Sequence, residues 1–305
     1  ALVERDRDEY LQLLIDEVGS PIMKAQFEVD YCINAFRAAA GVPRRLTGQT
    51  MPLDRPGAFG MSVREPVGVI ACITPFNVPL LKNVKQIAMV IATGNTAVLL
   101  PSEFASQVTV KFAETLAEAG TPAGVFNYVT GDPFEIGDSL TSHADIAAIN
   151  FCGSPRIGKH VAELAARDLK PVTLELGGKS PLVVLDDADL DKALEAATIG
   201  IFFFQGQACM ASSRIILQRG IADKFIAAYT EIAANIKIGD LSDPETAIGP
   251  IISPRQQARV KAHIDDAIAK GATLIHGAGE WQGACCPPTI LSDVDESMSL
   301  CREET

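Results

Sequence analysis

No stretch of this sequence stays apolar for the roughly 20 residues that a helix needs to cross a bilayer. The opening ALVERDRDEY is charged and lacks the apolar core of a secretion signal. Basic residues are the minority. The chain has 26 Lys and Arg against 38 Asp and Glu, for a net charge of −12. That balance excludes nucleic acid as a partner and disfavours an anionic membrane surface. Histidines number four and show no ligand spacing. The seven cysteines, at 32, 72, 152, 209, 285, 286 and 301, form no CxxC pair. A metal site and a disulfide framework are therefore not expected, and the scattered odd count reads as reduced thiols of a cytoplasmic protein. The GxGxxG dinucleotide fingerprint is absent as well.

What is present is an alternating rhythm over 305 residues, 48% of them hydrophobic. The first forty carry helical patterning, with Leu11, Leu14, Ile15 and Val18 on one face. Residues 48–66 are rich in turn formers and read as an irregular or hairpin excursion. GVIACIT (68–74) then reads as a buried strand and 79–94 as a helix ending at glycine. TAVLL (96–100), VFNYVT (125–130) and IAAINF (146–151) are further strands, with helices between them and from Pro155. The second half repeats the alternation, with strands PLVVL (181–185), RIILQ (214–218) and TLIHG (273–277). Such alternation predicts βαβ units and two α/β domains, each with an open, mostly parallel sheet, joined near residue 177.

Four short segments could carry chemistry. Cys209, in FFFQGQACMASSR, follows a Gly-Gln pair at the end of a predicted helix. A thiolate attacks carbonyls where it is exposed, whereas most cysteines are small buried hydrophobes. Glu175, in LELGGKSP, sits at a strand end beside two glycines and can serve as general base for a water; alone, it reads equally as a solvated glutamate. Asn77, between two prolines in ITPFNVPL, suits an oxyanion hole with the Cys209 N–H, or is a turn asparagine. FCGSPRIG places Gly153 and Ser154 at a helix N-terminus, which favours a phosphate. Phe203, Phe204 and Met210 are candidates for an aromatic-lined funnel or for ordinary helix core.

In sequence order, ITPFNVPL, LLPSE, FCGSPRIG, LELGGKSP, GQAC and TAIGP resemble the aldehyde dehydrogenase superfamily over nearly the whole chain. PLDRPGAFGMSVREPVGV, the ITPFN form with Phe76, and GQACM are most similar to its vanillin, benzaldehyde and salicylaldehyde dehydrogenase branch. The resemblance implies a Rossmann-like NAD(P)-binding domain over 1–176, with the excursion at 48–66 as a bridging hairpin, and a catalytic domain over 177–305. It makes Cys209 the nucleophile, Glu175 the base that activates the deacylating water, and Asn77 an oxyanion donor. A cofactor site is implied at Ile73, Thr74, Pro75 and Phe76; at Ser102 and Glu103; at Gly131; at Phe151, Gly153, Ser154 and Ile157; at Leu176 and Gly177; and at Glu304. Glu103 would bond the adenosine ribose and repel a 2′-phosphate, so NAD is expected ahead of NADP. The implied substrate is an aldehyde, aromatic by the branch resemblance, and the implied assembly a homodimer or homotetramer. The chain opens inside helical sequence and stops at CREET with no capping or turn signal, so it is expected to lack both termini and the catalytic domain to be incomplete at its C-terminal side.

Three positions depart from the family's pattern. Leu100 and Gln86 stand where lysines are usual, with Lys85 adjacent to the second, and Phe204 replaces a common asparagine. These departures keep a second reading open, a non-catalytic nucleotide-binding or structural member. A third, coenzyme A-dependent thioester chemistry, is opposed by Glu175, since acyl transfer to coenzyme A needs no base for water.

Overall fold

The computed structural model describes residues 1–305. The chain divides into two compact units, one of residues 1–10 and 28–175, the other of residues 11–27 and 176–305. It opens with helices α1 (Leu2–Arg5), α2 (Arg7–Val18) and α3 (Ile22–Ala40). The helical patterning is thus broken at Gly19, whose φ of +68° is a conformation that side chains rarely adopt. A hairpin follows, β1 (Gln49–Met51) and β2 (Gly60–Ser62), paired antiparallel.

The first unit is then built on β3 (Val69–Ile73), α4 (Pro79–Ala92), β4 (Thr96–Leu100), α5 (Ser106–Glu118), β5 (Phe126–Tyr128), α6 (Pro133–Ser142), β6 (Ile146–Gly153), α7 (Pro155–Arg167) and β7 (Val172–Leu176). The five strands form one sheet in the order β5-β4-β3-β6-β7. β3 pairs in parallel with both β4 and β6, and β4 with β5. The central strands read as continuous apolar runs because both sheet faces are covered by helices. Ala71, Cys72, Ala97, Leu99 and Leu100 are buried on the sheet, and Leu80, Val84, Ile87 and Phe112 are buried on α4 and α5.

From β3 the chain steps outward to β4 and β5, then returns to the other side of β3 as β6. The strand order therefore reverses between β3 and β6. In open α/β sheets, ligands bind at the carboxyl ends of the strands flanking such a switch point.

The second unit continues with β8 (Pro181–Val184), α8 (Leu190–Phe202), β9 (Arg214–Leu217), α9 (Arg219–Ala234), β10 (Lys237–Ile238), β11 (Thr246–Ile248), α10 (Pro254–Ala269), β12 (Thr273–His276), β13 (Ile290–Ser292) and α11 (Ser299–Arg302). Its strands pair two by two, β8 with β9 and β10 with β11 in parallel, β12 with β13 antiparallel. Val184, Leu194, Phe202, Ile221, Phe225 and Tyr229 form its main core. Tyr229 stacks on Phe202 and donates its buried hydroxyl to the Ala197 carbonyl oxygen, 3.1 Å away. No helix is long and apolar enough to cross a membrane.

Candidate functional site

In the first unit the predicted residues gather along one edge of the sheet. Parallel pairing aligns Ile73 with Leu100 and with Phe151, so the loops after β3, β4 and β6 leave side by side. Thr74 through Asn77 follow β3, Ser102 and Glu103 follow β4, Gly131 lies shortly after β5, Gly153 and Ser154 end β6 and open α7, and Glu175 lies near the end of β7.

The β3 loop is pinned from beneath. Buried Thr74 donates its hydroxyl to Asn83 Oδ1 (2.8 Å), and Asn83 donates its amide to Thr109 Oγ1 (3.0 Å). The Leu81 N–H, in the first turn of α4, is answered by the buried Glu28 carboxylate at 3.0 Å. Asn77 Oδ1 accepts the Val78 N–H at 3.0 Å, which identifies Nδ2 as the donating end of that amide. Phe76 packs edge-on against Phe104.

Glu103 is exposed at the end of β4, and its carboxylate accepts a bond from Ser102 Oγ (3.1 Å). Ser154 caps α7, its Oγ accepting the Ile157 N–H at 3.4 Å. Gly153 is required because a Cβ there would strike the Phe151 ring. Gly131 has a φ of +152°, and a Cβ on it would meet Ile136. An exposed carboxylate and a serine-capped helix N-terminus beside the switch point suit the ribose diol and pyrophosphate of a dinucleotide.

The remaining predicted residues lie in the second unit. Cys209 sits half-exposed in a turn after α8. Two glutamines hold the chain that leads to it. Gln205 donates to the carbonyl oxygens of Gly19 (3.3 Å) and Pro250 (3.1 Å), and Gln207 Oε1 accepts the Ile252 N–H (3.0 Å). Phe204 and Gln205 both adopt positive φ, +50° and +55°. Such strain in non-glycine residues persists only where the surroundings fix it. Phe204 is fully buried under the Lys24 ammonium, which lies 4.3 Å from the ring centroid. Phe204 is therefore a core residue rather than part of a funnel; Phe203 packs edge-on against Phe27, and Met210 is exposed. Gly177 faces Glu304, and burial raises the Glu304 carboxyl above its usual range, against the opposing pull of Arg259 and Lys179.

The other thiols are poorer nucleophiles. Burial pushes Cys72 up to about 12 and Cys286 up to about 11, and raises Cys285 and Cys301; Cys32 and Cys152 are buried.

Two departures gain an account here. Leu100 is fully buried in β4, so that strand end presents no cation. Gln86 turns inward on α4, with Nε2 3.4 Å from the Ile73 carbonyl oxygen and Oε1 buried without a partner. Lys85, beside it, is exposed. The residue that sequence reasoning missed is Lys82, one turn before Gln86 on the same face; its ammonium lies 3.9 Å from the Glu175 carboxylate. That i, i+4 spacing was the available signal.

All 305 residues match the model of the aldehyde dehydrogenase family. A vanillin dehydrogenase of Pseudomonas fluorescens is 42% identical over 95% of this chain and 60% of its own length. The crystal structure of a salicylaldehyde dehydrogenase from Pseudomonas putida G7, complexed with salicylaldehyde, is 40% identical with a TM-score of 0.96, covering 100% of this chain and 63% of that one. A betaine aldehyde dehydrogenase from Staphylococcus aureus, solved with NAD+, is 33% identical with a TM-score of 0.96, over 99% of this chain and 61% of that one. The chain thus spans less than two thirds of the length of each of these relatives.

Proposed function

The chain belongs to the aldehyde dehydrogenase family, and from that premise we propose that the protein oxidises an aldehyde to its carboxylic acid with NAD(P), with Cys209 as nucleophile. The observation that carries this reading is the Cys209 turn. It holds the half-exposed thiol, and two partly buried glutamine contacts and a strained backbone fix the chain leading to it. Precise placement of a nucleophile is worth that strain, because rate depends steeply on approach geometry.

In the proposed reaction the Cys209 thiolate bonds to the aldehyde carbon. Asn77 Nδ2 and the Cys209 N–H donate to the oxygen as it gains charge, and losing one such donor costs about 10²–10³ in rate. A nicotinamide held in the cofactor site would supply the two-electron acceptor needed to take the thiohemiacetal on Cys209 to a thioester. Glu175 takes a proton from water as the water oxygen bonds to the acyl carbon. The C–S bond then breaks, the acid leaves, and the Cys209 thiolate is restored.

The cofactor fits the residues present. Glu103 and Ser102 suit the adenosine ribose, Gly153 and Ser154 the pyrophosphate, and Glu304 the nicotinamide ribose. Ile73, Thr74, Pro75, Phe76, Gly131, Phe151, Ile157, Leu176 and Gly177 supply the walls. The Glu103 carboxylate favours NAD, whose ribose is a free diol. The first unit with the hairpin is the cofactor domain and the second the catalytic domain. Aromatic aldehydes are the favoured substrates, since vanillin and salicylaldehyde are named for two of the relatives. Phe59, Met61 and Val63 stand exposed on and beside the hairpin, which supports its use between subunits of a cytoplasmic homodimer or homotetramer.

The test is a panel of aromatic and aliphatic aldehydes with NAD or NADP, read as reduced-nicotinamide absorbance, with Cys209→Ala as control. Turnover on aromatic aldehydes that disappears in Cys209→Ala supports the reading. A folded protein that binds NAD and turns over no aldehyde replaces it with the non-catalytic one.

A further inference from the structure

Lys82 is 8% exposed, and its one charged partner is Glu175. Removing an ammonium from water is costly unless an anion or acceptor compensates it. At 3.9 Å the pair is ionic and longer than a hydrogen bond. The Glu175 side chain is 63% exposed, and Lys82 is the only charged group it meets in this structure.

The turn of α4 that carries Lys82 is pinned on both sides. Leu81, the residue before Lys82, has its N–H bound to buried Glu28. Asn83, the residue after it, is locked between Thr74 and Thr109. The Lys82 N–H itself bonds the Val78 carbonyl oxygen at 2.9 Å. A charge on so fixed a backbone can hold an exposed carboxylate.

The neighbouring positions offer no substitute. Gln86, one turn on, is uncharged and bonded toward Ile73, and Lys85 is exposed.

We propose that Lys82 is a positioning residue for Glu175: its ammonium draws the carboxylate toward α4 and limits the directions from which it can take a proton from water. The proposal rests on the reading of Glu175 as that base. In the step concerned, the water oxygen bonds to the thioester carbon and one water proton passes to the Glu175 carboxylate. The C–S bond breaks, the Cys209 thiolate leaves with its electron pair, and Glu175 then releases the proton to solvent. Lys82 gains and loses nothing; it fixes where the base stands. The earlier steps, thiolate addition and oxidation, do not use Glu175 and therefore do not use Lys82.

The experiment separates those steps. The gene product that carries this chain is mixed rapidly with NAD and benzaldehyde, and reduced nicotinamide is followed through the first turnover and into the steady state. Glu175→Gln tests the underlying reading. It should keep the first-turnover burst and lose about 10²-fold or more in steady-state rate, the usual loss for a general base. If Glu175→Gln turns over normally, that reading fails, whatever Lys82 does. Lys82→Met and Lys82→Gln test the proposal. Both should keep the burst rate and lower the steady-state rate about tenfold, within the range spanned by misplaced catalytic groups. Lys82→Arg should recover most of the loss, and Lys82→Met added to Glu175→Gln should cost nothing further, because the two residues act as one unit. The proposal is overturned if Glu175→Gln behaves as stated while the Lys82 variants keep full turnover. It is overturned equally if they slow the burst and the steady state together, or if the double variant loses as much again.

Discussion

The Glu304 carboxylate occupies the space that a Cβ on residue 177 would take, so glycine is the residue that lets it stand there. Gly177 has an ordinary backbone conformation and is not among the residues of positive φ. The requirement is therefore one of space, imposed from far along the sequence. The carboxylate is the far end of a flexible side chain and can move aside. Gly177→Ala is accordingly expected to displace Glu304 while changing stability by less than about 1 kcal/mol. If Glu304 grips the nicotinamide ribose, NAD affinity falls about tenfold, the effect of losing one hydrogen bond to a charged group. Titration calorimetry with NAD, beside a thermal melt, checks both halves. A large drop in melting temperature with unchanged affinity would show the glycine to be purely structural.

A second prediction concerns the thiols. Cys209 is half-exposed, Cys32, Cys72, Cys152 and Cys301 are buried, and burial raises Cys285 and Cys286 above the ordinary thiol range. Alkylation depends on access and on the fraction of thiolate. Limited treatment with iodoacetamide near pH 7.5, followed by peptide mass mapping, should label Cys209 first and the pair at 285 and 286 more slowly. The buried four should react only after denaturation. Early labelling of Cys286 in place of Cys209 would contradict the assignment of the nucleophile.

A third prediction tests how the sheet is entered. Asn95 is buried between α4 and β4, and its Oδ1 accepts both the Val67 N–H (2.7 Å) and the Gly68 N–H (3.1 Å). Its amide nitrogen donates to Thr93 Oγ1 at 2.9 Å. These bonds tie the segment after the hairpin to the start of β4, where the Thr96 N–H meets the Gly68 carbonyl oxygen. Asn95→Ala leaves two backbone donors unanswered in a partly buried place. The expected loss is about 2–3 kcal/mol, read from urea unfolding with an unchanged m-value.

Much of this was legible in the sequence because it is local. VIACI, TAVLL and IAAINF are apolar runs bounded by turn formers, and they became β3, β4 and β6. Ser154 and Pro155 announced the start of α7 by capping chemistry. The turn-rich 48–66 became the hairpin. What stayed hidden depends on distant partners. Phe204 read as a funnel candidate because no local pattern reveals that Lys24, 180 positions earlier, lies over its ring. Lys82 was not singled out in the sequence because Glu175 reaches it only through the fold. In the second unit β8, β9 and β12 were recognisable, but the short β10, β11 and β13 were not, nor was the pairing two by two, since pairing is set by tertiary contacts.

The last prediction is a dependence of stability on pH. His263 lies on α10 and is 6% exposed. Its Nδ1 pairs with Thr305 Oγ1 at 3.0 Å, and its Nε2 lies 3.7 Å from the Glu303 carboxylate. Burial lowers its pKa below the ordinary 6.5; the neighbouring Arg259 and Lys179 cations push the same way, while Glu303 and Asp266 oppose them. The imidazole is thus held neutral in the folded state. The unfolded chain takes up a proton near pH 6.5, before the folded one does, so over that interval the unfolded state binds more protons. Stability then rises with pH. The contribution is complete above the unfolded value and is lost as pH falls from about 6.5 toward the lower folded value. The paired carboxylates titrate in a separate window. Asp266, held down to about 2 by its hydrogen bond with Lys270, weakens the fold only at much lower pH. Melting temperatures measured from pH 7.5 to 5 should therefore fall in the wild type and fall less in His263→Gln, which keeps a polar side chain and removes the titration. Parallel curves for the two proteins would mean that protonation of His263 is not what weakens the fold in this range.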